Sequence, residues 1–111
     1  MKTLSVCVLV AGVAASGVAA QSRQTFTGVI TDEMCAAAGH ASMRMGPTDA
    51  ECVTACVDTH GARYVLVVGK DVYVLSDQKT PAKYPAEKVN VVGTVDAKTK
   101  VLTVQSIAAA K

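Results

Sequence analysis

The sequence predicts a small, mainly β domain with a short helical insertion, α+β in class. Three observations predict it. Five segments rich in Val, Ile, Thr and Tyr recur between turn residues. Two helix-start signals fall together, between the first and second of those segments. The chain has 111 residues, room for one domain and no more.

Met1 to Ala20 carries Lys2, an apolar run from Leu4 to Val18, and the small residues Val18-Ala19-Ala20, the three parts of a secretory signal. The run is too short and too rich in Ala, Gly and Ser to favour a bilayer span, which needs about 20 strongly apolar residues. Cleavage after Ala20 is expected to remove Cys7 and to leave a domain over 21–111, periplasmic or secreted, with no transmembrane segment.

Thr25 to Thr31 alternates as a strand, with Phe26 and Ile30 on one face and Gly28 between them marking a bulge or bend. Asp32 reads as a helix N-cap, with a short helix from Glu33 to Ala38 stopped at Gly39. His40 to Pro47 is a loop. Thr48-Asp49-Ala50-Glu51 matches a capping box and starts a helix from Asp49 to about His60, with Gly61 as its stop. These helices make an insertion over 33–60. Arg63 to Val68 and Asp71 to Ser76 form a hairpin across Gly69-Lys70, a pair suited to a type II′ turn. Both faces of these strands are apolar, so the pattern leaves open which face is inward. Asp77 to Glu87, with Pro81 and Pro85, is a connection holding at most one helical turn. Lys88 to Val95 and Val101 to Ile107 are the last strands, and Ala108 to Lys111 reads as a tail. Gly28 and Gly93 both fall mid-strand with an aspartate at the exit, and two bent strands suit closure of a small barrel. The order fits a five-stranded, partly open barrel of the oligonucleotide/oligosaccharide-binding (OB) type, with two short helices between strands 1 and 2.

Composition limits function. Without Lys2 the ten basic and nine acidic residues give a charge near +1, and no basic face for nucleic acid is visible. Aromatic residues are few and Trp is absent, which disfavours stacking on bases or sugars. Gly-rich phosphate loops, a Ser-centred elbow and a Cys-x-x-Cys pair are all missing, so the chain reads as no enzyme.

The chemistry is concentrated between Met34 and His60, which holds Cys35, Cys52, Cys56, His40, His60 and three of the four methionines. Cys52, Cys56 and His60 recur every four residues along one helical stripe. Three cysteines is an odd number, so at least one stays free, binds metal or pairs between molecules. A disulfide from Cys35 to Cys52 or Cys56 would staple the helices together in a structural or partner-binding module. Alternatively Cys35, Cys52, Cys56 and a histidine, His40 or His60, surround a soft metal, copper or zinc. Met43 and Met45 could add thioethers but read first as filler.

The pattern Thr27-Gly28-Val29-Ile30-Thr31-Asp32, then Cys35, His40 and Cys52-x-x-x-Cys56, resembles a set of small exported bacterial proteins of unknown function with OB-like strands. Tyr64-Val65-Leu66, Val89 to Gly93 and Val104-Gln105-Ser106-Ile107 extend the resemblance over most of 21–111. It implies a fold and no activity.

Overall fold

The computed structural model describes residues 22–42 and 44–111. The expected export signal over 1–20, and Met43, lie outside the described residues. The protein is mainly β. In chain order it runs β1 (Gln24–Asp32), α1 (Glu33–Ala38), α2 (Asp49–His60), β2 (Tyr64–Val68), β3 (Asp71–Leu75), a 3-10 turn (Thr80–Lys83), β4 (Lys88–Asp96) and β5 (Val101–Ala109).

The five strands form one sheet that closes on itself in the order β1-β2-β3-β5-β4. Strand β1 serves both sides of the closure. Its first half pairs with β4, from Gln24 opposite Gly93 to Val29 opposite Lys88. Its second half pairs with β2, from Val29 opposite Val67 to Asp32 opposite Tyr64. The hand-over falls at Gly28, where a Cβ would collide with the Val67 carbonyl oxygen. Gly93 repeats the device. A Cβ there would strike the Thr103 carbonyl, and the β4–β5 ladder shifts register between Val92 and Gly93. Both mid-strand glycines therefore mark places where strands bend and backbones approach closely. A short parallel seam, Val74 with Val101 and Leu75 with Leu102, completes the ring, which is closed where a partly open one is expected.

The hairpin β2–β3 turns on Gly69-Lys70, with Val68 opposite Asp71 and a positive φ at Gly69. Its inward face, undecided by sequence, carries Tyr64 and Leu66 from β2 and Leu75 from β3. They pack with Ile30, Val53, Val89, Val91 and Leu102 in the core of the ring. Gln78 substitutes for a missing strand partner. Its amide accepts from the Tyr64 N–H at 2.7 Å and donates to the carbonyls of Tyr64 and Leu75 at 3.0 and 2.8 Å. One expectation is corrected: Ala108 and Ala109 are not tail but the end of β5, opposite Asn90 and Val89. Alanines carry little strand preference of their own, and the ladder recruits them.

Candidate metal centre

Each helix begins at the cap its sequence announces. Asp32 ends β1 and caps α1, its Oδ2 accepting from the Met34 and Cys35 N–H groups at 3.0 and 3.1 Å. Thr48 caps α2 in a full capping box with Glu51, and Gly61 closes the helix in the left-handed region. An exposed clamp fixes α1 against the start of β2. Glu33 takes the Arg63 guanidinium at 3.0 Å and the Arg63 N–H at 3.1 Å, and the Glu33 N–H donates to the Arg63 carbonyl. The Arg63 hydrogen bonds hold the Glu33 carboxyl below its usual range.

Helix α2 divides its apolar surface. Val53 faces the ring and joins its core, with Val57 packed against it. Cys52 and Cys56 join a second cluster with Cys35 of α1 and Ala62, flanked by Met34 and Met45. The three thiols are buried, at 3%, 0% and 0% exposure for Cys35, Cys52 and Cys56. The Cys35 Sγ is 3.5 Å from that of Cys52 and 3.8 Å from that of Cys56. None of the three is disulfide-bonded, so the disulfide from Cys35 is not formed at either partner. A disulfide would place the sulfurs about 2.05 Å apart.

Two oxygen and nitrogen groups converge on the sulfurs. His40, on the loop after α1, shares a group with Cys35 and Cys52 whose ligand atoms all lie within 4.8 Å of one another, and Asp32 shares a second such group with Cys35 and Cys56. The Thr31 Oγ1 lies 3.4 Å from His40 Nε2, while His40 Nδ1 is buried without a hydrogen-bond partner. The other buried polar side-chain atom without one, among the described residues, is Asp32 Oδ1. Burying polar groups unpaired costs free energy, and buried charge costs more. It is notable that both orphans belong to residues grouped with the thiols. Desolvation, followed by the neighbouring Asp32 carboxylate and thiols, pushes the Cys35 thiol pKa far up. Desolvation also raises that of Cys56. Without a cation these thiols stay protonated at neutral pH. A bound cation would reverse that, because thiolates are the ligands.

Of the five residues singled out by sequence, the fold groups Cys35 with His40 and Cys52, and separately groups Cys35 and Cys56 with Asp32. It leaves His60 exposed at the far end of α2, outside either group. In the sequence Asp32 reads only as a cap. Its place three residues before Cys35 was the available signal, since a cap must lie beside the helix's first turn. Met45, set aside as filler, accepts from the Cys56 thiol at 3.6 Å.

No family model, curated protein or solved structure matches this chain significantly. Among the described residues, no helix is long and apolar enough to cross a membrane.

Proposed function

We propose that this is a small exported, non-enzymatic binding protein whose OB-like ring carries a soft-metal site for copper or zinc, formed by Cys35, Cys52, Cys56 and His40. One observation carries the reading: the buried Cys35 Sγ lies 3.5 Å from that of Cys52 and 3.8 Å from that of Cys56, with no disulfide formed. A tetrahedral ion with bonds of about 2.3 Å to sulfur holds its ligand atoms roughly 3.8 Å apart along each edge, a spacing that the two edges from Cys35 already meet. The orphaned His40 Nδ1 supplies the fourth donor, with Thr31 beside the opposite ring nitrogen as an outer partner that fixes the tautomer. The strand order and the parallel β3–β5 seam support the OB-like assignment. The resemblance to small exported bacterial proteins rests on the same Cys…His…Cys-x-x-x-Cys residues and gives this reading its compartment.

Titration of the reduced, metal-free protein with Zn(II), and anaerobically with Cu(I), tests the reading. The expected result is one equivalent bound tightly, with Cys35→Ser weakening it at least about a hundredfold. Failure of both ions to bind the reduced protein would overturn it. The second reading, a structural or partner-binding module stapled at Cys35, is favoured by that residue's nearness to both partners. It predicts a Cys35 disulfide in protein recovered from an oxidising compartment.

A further inference from the structure

Beside the thiol cluster the surface opens into a groove of about 600 Å³, lined in part by Met45, Pro47, Ala50, Thr54 and Pro85. Met45 belongs to both places. It is half-buried in the wall of the groove, it packs against the cysteine cluster, and its Sδ lies 3.6 Å from the Cys56 Sγ. The Met45 thioether thus links the wall of the groove to a buried thiol. The three thiols themselves are buried.

We infer that Met45 is an accessory ligand that makes the site prefer Cu(I) over Zn(II), taking the ion at the groove and sharing it with Cys56. This deepens the metal reading and rests on it. The chemistry follows from the donor. A thioether is neutral and polarisable, binds soft monovalent copper well and adds little for Zn(II), whose sites are built from thiolate, imidazole and carboxylate. The neutral sulfur also needs no proton removed to bind. Binding then displaces the Cys56 S–H hydrogen bond to Met45, replacing the proton between the two sulfurs by the metal. No electron changes hands, and the released thiol protons pass to solvent.

The test compares wild type with Met45→Leu, which keeps side-chain volume and removes the sulfur. Chelator competition gives the affinity for Cu(I) and for Zn(II) in each protein. The expected result is a fall of about tenfold in Cu(I) affinity, with Zn(II) affinity changed less than twofold. A purely packing role for Met45 would lower both affinities together, or neither, and either outcome overturns the inference. Wild type that binds no ion overturns this inference along with the metal reading. Wild type that binds ions, with a Cu(I)-to-Zn(II) ratio unmoved by Met45→Leu, overturns this inference alone.

Discussion

Two buried clusters lie side by side along helix α2, differently furnished. The ring core is filled by Ile30, Val53, Tyr64, Leu66, Leu75, Val89, Val91 and Leu102, aliphatic but for one tyrosine. The neighbouring cluster is three thiols and an alanine, bordered by two methionines. Near it lie the two orphaned polar atoms, Asp32 Oδ1 and His40 Nδ1. Side chains in the first cluster are explained by burial of apolar area alone. Those in the second are not, since burial of an ionisable thiol beside a carboxylate raises its pKa and a partnerless ring nitrogen costs free energy. The contrast assigns stability to the ring and chemistry to the helical insertion.

Substitutions in the two clusters should separate those roles. The largest effect on folding is expected from Leu66→Ala in the ring. Its loss should cost about 2–5 kcal/mol in urea unfolding, while each folded molecule still binds one ion. Cys52→Ser should do the reverse. Metal affinity should fall at least about a hundredfold by chelator competition, because an apparent 10–16 kcal/mol for a structural zinc site divides into roughly 3 kcal/mol per ligand. Metal-free stability should change less than in Leu66→Ala. If Leu66→Ala loses metal binding per folded molecule, or Cys52→Ser binds normally, the division of labour is wrong.

Much of this division was legible in the sequence because caps are local. Asp32, Gly39, the Thr48–Glu51 box and Gly61 bounded both helices at the residues observed, and the four-residue spacing put Cys52 and Cys56 on one stripe. Whatever depended on packing was not legible. Apolar residues on both faces of β2 and β3 concealed which face meets the core, and the β4 ladder, not local preference, extends β5 through Ala109. The same limit applied to the site. Thr31 and Met45 reach it only because the loop after α1 folds back over β1 and α2, and nothing in their spacing encodes that return. His60 continued the helical stripe in sequence, but α2 runs on past the cluster and carries it into solvent.

Smaller effects sharpen the comparison. Thr31→Val removes the hydroxyl beside His40 Nε2 and leaves the thiols in place. It should weaken metal binding about tenfold, the lower end for loss of an outer hydrogen-bond partner, with little change in thermal unfolding. Unchanged affinity would remove Thr31 from the site. The pH dependence is subtler. Burial raises the folded-state pKa of the Cys35 and Cys56 thiols above the ordinary value of 9.0. Below that pH both folded and unfolded chains keep these protons, and stability is insensitive to them. Above it the unfolded chain loses protons first, so metal-free stability should fall as pH rises from 9.0. The metal-bound protein already holds thiolates and should lack this alkaline loss. Denaturant midpoints at neutral and alkaline pH, with and without metal, check both halves.

The central claim is tested most directly by protein recovered from its native compartment and alkylated in denaturant, first with and then without a metal chelator and without reductant. Peptide mass mapping then locates the modified residues, and elemental analysis counts the metal. The account predicts one copper or zinc per chain, with Cys35, Cys52 and Cys56 all modified once the ion is removed. A metal-free protein in which Cys35 resists alkylation together with Cys52 or Cys56, and becomes reactive only after reduction, would contradict it.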